Sequence, residues 1–157
     1  MNEKIQNLDL EPIMVKIMDK EEGLGWELDF TKQVAEEYRK YLYLCLKYED
    51  EAIVPSKTVD EFWHFHILDT LKYQEDCQNI FGYFLHHFPY FGMRGEEDKN
   101  NLNNAWETTL KLYEETFNEK PNSIIWLTNV RCPKCGRRVK NTKFTMDKRP
   151  SLKEYAS

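Results

Sequence analysis

The stretch "VDEFWHFHILDTLKYQEDC", Val59 to Cys77, carries two of the chain's four histidines, one residue apart, inside an apolar run of helical spacing. On a wheel of about 100° per residue, Val59, Phe62, Trp63, His66, Thr70, Tyr73, Cys77, Ile80 and Phe81 share one side, which is the expected core side. His66, Tyr73 and Cys77 are then polar or reactive groups on a buried face, with Asp69 and Asp76 on its flank. His64 lies well away, near Leu68 and Leu71, on a second, partly apolar face. Asp60 stands four residues before His64, within hydrogen-bonding reach. Two consequences follow. Residues i and i+2 of a regular helix point apart, so His64 and His66 are not expected to ligate one ion together. A buried imidazole also needs a partner, and the candidates for His66 are Asp69, Tyr73, His86 and His87.

Working outward, Pro55 stops any helix before it, and Thr58 with Glu61 forms a capping box. The spacing therefore predicts a helix from Thr58 to about Gly82. Upstream, Asp9 is a candidate N-cap with Pro12 in the first turn, followed by Leu10, Ile13, Met14, Ile17 and Met18, with Gly23 and Gly25 ending the element. A second amphipathic helix is expected over Thr31 to Tyr48. Downstream, "YFLHHFPYFGMRG" is aromatic and broken by Pro89, Gly92 and Gly95, and reads as a packed loop or short helical turns. Residues 96–117 form a fourth helix with Leu102, Ala105, Trp106, Leu110 and Tyr113 inward. "SIIWLTNV", 123–130, reads as a short strand or an extended arm.

The expected fold class is all-α. It comprises about four helices around one aromatic-rich core over residues 1–120, then an arm over 121–157 with a small CxxC knuckle and a basic tail. Composition agrees. A hydrophobic fraction of 41% and 14% aromatics are ample for a core, and 6 Gly and 6 Pro are few for an all-β protein of tight turns. No apolar run follows the N-terminal "MNEKIQNLDLEP", and the longest apolar stretch, "YLYLCL", is too short to cross a bilayer. A cytoplasmic protein without a membrane contact is expected, its four cysteines reduced or metal-bound. Net charge is −5 but unevenly spread, because residues 131–157 carry +7 and the rest −12. Such a tail is expected to touch an acidic protein or a nucleic acid, or the body itself.

All four histidines fall between residues 64 and 87, with Asp69, Tyr73, Asp76 and Cys77 among them. The candidate metal ligands in the body are His64, His66, Cys77, His86 and His87. A His/carboxylate set suits zinc or iron(II), and added cysteine favours zinc or copper. The spacing is not HExxH, so a zincin-type peptidase is not indicated.

The run "VPSKTVDEFWHFHILDTLKYQEDCQNIFGYFLHHFPYFG", Val54 to Gly92, resembles the glycine-rich domain-containing protein-like family. The resemblance rests on Asp60, Trp63, His64, His66, Tyr73, Asp76, Cys77, Gly82 and His87, and extends more loosely over residues 8–117. It implies a stand-alone helical domain in which the His/Asp/Cys set acts together, as ligands or as a buried network. The chain departs from that family's name in having no glycine-rich tract.

"CPKCG", Cys132 to Gly136, has the form of a zinc knuckle, with Gly136 relieving the turn. No Cys or His follows Cys135, so the knuckle is half a site. It would borrow Cys45, Cys77 or a histidine, pair with a second chain in a homodimer, or be a relic. A thioredoxin-like role lacks a surrounding βαβ pattern.

Two functions compete. One is a metal-binding protein, with zinc or another divalent metal and an open question of catalysis. The other is an interaction module, with a buried His/Asp/Tyr network and a tail that docks on a partner. A nucleophilic Cys77 with a His base is a third reading, against which its mid-face position argues.

Overall fold

A computed structural model describes residues 1–127, 136–137 and 145–156. Among these residues the chain forms seven helices and two very short strands, in the order α1 (Glu3–Gln6), α2 (Glu11–Met18), α3 (Leu28–Lys47), α4 (Lys57–Leu68), α5 (Thr70–Phe81), β1 (His87–Phe88), α6 (Glu96–Phe117), β2 (Gly136–Arg137) and α7 (Leu152–Ala156). The all-α class stands, and the count of four helices gives way to seven. None of these helices is long and apolar enough to cross a membrane.

The helix predicted over Thr58 to Gly82 is two helices. Asp69 adopts φ −82° and ψ 76°, ending α4, and its carboxylate accepts from the Lys72 amide to start α5. One wheel therefore does not carry through the whole stretch: Tyr73, Cys77 and Ile80 remain buried, but Thr70 is exposed and Phe81 half-buried. The start differs as well. Ser56, extended after Pro55, caps α4 through its Oγ, which accepts from the Val59 amide at 3.1 Å. This replaces the expected Thr58/Glu61 box. The segment ahead, Ala52 to Ser56, is a buried connector, and buried backbone must find partners. The Val54 amide donates to Thr109 Oγ1 at 3.0 Å, and Tyr41 Oη donates to the Ile53 carbonyl.

At the N-terminus, Asn2 caps α1, which periodicity did not predict. The last carbonyls of α2 are satisfied by a loop that folds back, with the Leu24 and Gly25 amides both donating to Ile17 O. Gly23 is required there, because a Cβ would sit 2.0 Å from the Lys16 carbonyl oxygen.

The centre of the core is α3, which packs on α1, α2, α4 and α6. Val34, Ala35, Tyr38, Tyr41, Leu42 and Cys45 recur at helical spacing and are buried. Residues 121–127 join this core. Ser123–Trp126 is a turn, neither the strand nor the extended arm expected there, and Ile125 and Trp126 are fully buried. Trp126 lies against Trp106 and Tyr113. The buried Glu37 carboxylate accepts from both Tyr113 Oη and Trp126 Nε1 at 2.8 Å, with Lys40 Nζ 3.5 Å from its other oxygen. Glu37→Ala strands two buried donors and is expected to cost about 2–4 kcal/mol. Urea unfolding followed by tryptophan fluorescence checks this, and an unchanged midpoint would contradict it.

The Cys132/Cys135 pair of the expected knuckle lies outside the described residues. Gly136, which follows it, is in β2, paired antiparallel with β1 so that His87 faces Arg137 and Phe88 faces Gly136.

Candidate metal centre

Ser56 sets the start of α4, and from there Asp60 and His64 fall one turn apart on the same face. Asp60 Oδ2 is 2.9 Å from His64 Nε2. The third member arrives from β1: His87 Nε2 lies 2.8 Å from Asp60 Oδ1 and 3.1 Å from His64 Nε2. His87 is oriented by Trp63, whose ring centroid is 4.5 Å away. The Asp60 side chain is 5% exposed and that of His64 52%, so the group is a buried carboxylate with one imidazole at the surface. Among the described residues, Asp60, His64 and His87 form a group able to hold a metal ion.

Proton bookkeeping shows why these side chains could hold a cation. A neutral imidazole carries one N–H. If both Nε2 atoms are protonated, both donate to Asp60, but two N–H groups face each other at 3.1 Å. If only one is protonated, the other presents a lone pair to the carboxylate at 2.8–2.9 Å. With Asp60 ionised, as its lowered pKa implies, no arrangement of the ring protons makes all three contacts attractive. A divalent ion does so at once. Zinc-to-ligand bonds of about 2.0–2.1 Å put neighbouring ligands about 2.9 Å apart at a right angle and about 3.4 Å apart at the tetrahedral angle.

The charges agree. Burial alone would push the Asp60 carboxyl up, but the contacts with His64 and His87 outweigh it and hold it below its ordinary 3.8. The Asp60 contact raises His64 above its ordinary 6.5 against the pull of burial. In the metal-free protein the Asp60 contribution to stability is present above about pH 3.8 and is lost as pH falls through its lower folded value. The His64 contribution is complete below about pH 6.5 and is lost as pH rises through its higher folded value. A metal ion bound there would displace that His64 proton. Apparent affinity is therefore expected to fall about tenfold per pH unit below the raised His64 value. Zinc competition titrations at about pH 6 and about pH 8 check this, and equal affinities would exclude His64 as a ligand.

His66 belongs to a different cluster. Its side chain is 2% exposed. Its Nδ1 lies 2.7 Å from Tyr38 Oη and its Nε2 2.8 Å from Asp76 Oδ2, which Lys72 Nζ also contacts at 3.1 Å. Tyr73 packs edge-on against the ring. Asp76 is thus the partner that His66 requires. Asp76 reaches the wall of a cavity of about 350 Å³ between α1 and α5, shared with Lys4, Asn7 and Asn79.

The sequence-derived ligand set therefore divides. His64 and His87 come together, and His66 turns to the other side of α4, as the i, i+2 argument requires. Cys77 is buried beside Tyr73, and burial pushes its thiol up, away from the thiolate that binds metal. His86 is exposed, its ring against Phe84. Cys132 and Cys135 lie outside the described residues. Asp60 was read as the hydrogen-bond partner of His64 rather than as a ligand. Its i, i+4 spacing to a histidine was the signal available for it.

The chain belongs to the UCP032817-like family, whose model matches residues 2–130. This corrects the resemblance drawn above: the match is to that family, and no glycine-rich domain family is found. No curated protein and no solved structure matches the sequence.

Proposed function

We propose that this member of the UCP032817-like family is a metal-binding protein whose divalent ion is held by Asp60, His64 and His87. The observation that carries the reading is the cluster in which His64 Nε2 lies 2.9 Å from one Asp60 oxygen, His87 Nε2 2.8 Å from the other, and the two imidazole nitrogens 3.1 Å apart, contacts that no placement of protons on the two rings satisfies while Asp60 is ionised. Two histidines and one carboxylate suit zinc or iron(II). Three protein ligands are one short of a closed structural zinc site, which leaves a position for water or a substrate atom. Half-exposed His64 marks the side from which solvent reaches it. A bound ion would supply a Lewis acid and an activated water there. Asp60 would neutralise its charge, and Trp63 would hold His87 in place. With no membrane-crossing helix among the described residues, a cytoplasmic location fits the reading.

A second reading, the interaction module, draws on the Tyr38–His66–Asp76–Lys72 chain, a buried polar network of the kind that fixes a fold. Its partner would be an acidic protein or nucleic acid on the basic tail.

Elemental mass spectrometry on protein purified without tag or chelator distinguishes them. The wild type and a Cys132→Ser/Cys135→Ser variant are both expected to carry about one metal ion per chain in the helical body. Metal lost with the cysteines alone would make the knuckle the site. Metal absent from both would leave the interaction module.

A further inference from the structure

We infer that filling of the metal centre and docking of strand β2 are one coupled event, with Gly136 the positioning residue for His87. This rests on the metal reading above and adds its regulation.

Asp60 and His64 are fixed by the same helix, but His87 is not. It stands on a two-residue strand in the stretch between α5 and α6, where Gly82, Gly92 and Gly95 all take positive φ. No helical ladder holds that stretch. The backbone partner of β1 is β2, with His87 opposite Arg137 and Phe88 opposite Gly136. The third ligand is therefore held in register by residues from the far end of the chain.

Gly136 is buried, and a Cβ on it would lie 3.1 Å from the ring of Phe91 and 3.8 Å from Val54 Cγ2. Phe91 is fully buried, so its ring has little room to yield, while the Val54 distance is an ordinary contact. A Cβ at 136 requires the Phe91 ring or β2 to give by a few tenths of an ångström, and a larger side chain requires more. Gly136 was read from the sequence as relief for the turn of a knuckle. Its place in the fold is a close approach that seats the arm. The arm is tied down again further on, where Met146 is buried and Arg94 Nη1 donates to the Lys148 carbonyl at 3.1 Å. Arg94 is itself clamped in two places by Asp98.

Coupling of this kind is reciprocal. If docked β2 aligns His87 for the ion, the ion in turn stabilises docked β2. The quantity under control is then the position of the segment that carries the chain's excess positive charge, +7 over residues 131–157.

The test uses the full chain with Cys132→Ser and Cys135→Ser, so that zinc reports the helical site alone. Zinc affinity is measured for that parent and for the same chain with Gly136→Ala or Gly136→Val, with thermal unfolding as the check on folding. Affinity is expected to fall about tenfold or more for Gly136→Val and less for Gly136→Ala. Hydrogen exchange supplies a readout that needs no change at 136. Zinc is expected to slow exchange of the Gly136 and Arg137 amides in the parent and to have no such effect with Asp60→Asn. If Gly136→Val does not fold, Gly136→Ala and the exchange data decide. Parent-like affinity in a folded Gly136→Val chain, or exchange at 136–137 indifferent to zinc, overturns the coupling while leaving the metal centre standing. A parent that binds neither zinc nor iron(II) overturns the metal reading itself, and the coupling with it.

Discussion

Asp60→Asn is expected to strip metal from the helical body and leave the fold standing. The substitution keeps the shape of a side chain that is almost wholly buried, so the packing around it is preserved. What is lost is the charge that neutralises a cation. Groups that merely orient a ligand are worth about 10- to 100-fold in metal affinity, so loss of a ligand itself should exceed about 100-fold. His66→Ala is the contrasting change. It removes the partner of both Tyr38 Oη and Asp76 Oδ2. The metal content should stay at the wild-type level while stability falls by about 1–3 kcal/mol. Elemental analysis and urea titration of the two variants separate the clusters. Wild-type metal content in Asp60→Asn removes the proposed centre. Metal lost from a well-folded His66→Ala would place the ion on the other side of α4.

That contrast follows from a reading available in the sequence alone. Asp60 and His64 are one turn apart, and His64 and His66 must diverge, because both relations lie within a single helix, where periodicity decides direction. Residues 96–117 were legible for the same reason. The choice of His87 over His86 as the partner was not, because it depends on β1 pairing with a strand almost fifty residues away. Local pattern carries no information about such a partner. The break at Asp69 was hidden differently. Apolar residues recur at helical spacing on both sides of it, and an Asp inside that pattern reads as a flank residue until its backbone is seen to leave the helix and its carboxylate to cap α5. The turn at Ser123–Trp126 departs from the extended segment that the sequence predicts because Ile, Ile and Trp favour strands. Burial of Trp126 against Glu37 overrides that preference.

Trp63→Ala is expected to have the largest effect on stability of the changes considered. The side chain is fully buried, and truncating a buried Trp costs about 3–5 kcal/mol, a large share of the whole stability of a domain this size. The ring also stands between the two polar clusters. One contact is with His87, the ligand that β1 contributes. On another side its Nε1 donates to Tyr73 Oη at 2.9 Å, and Tyr73 in turn donates to the Leu85 carbonyl, two residues before His87, while packing against His66. Removing Trp63 thus loosens His87 twice, by taking away the ring beside it and by unsettling the tyrosine that pins Leu85. A folded remnant of Trp63→Ala should bind zinc weakly although all three ligands are present. Trp63→Phe separates these effects. It keeps most of the apolar volume and the ring beside His87 but deletes the donor to Tyr73, for an expected cost of about 1 kcal/mol and near-normal zinc binding. Urea unfolding and zinc titration on both variants test this order. Equal losses in the two would mean that the hydrogen bond to Tyr73, not the ring against His87, holds the third ligand. A Trp63→Ala chain within about 1 kcal/mol of wild type would mean that the core closes around the gap and that Trp63 is no wall between the clusters.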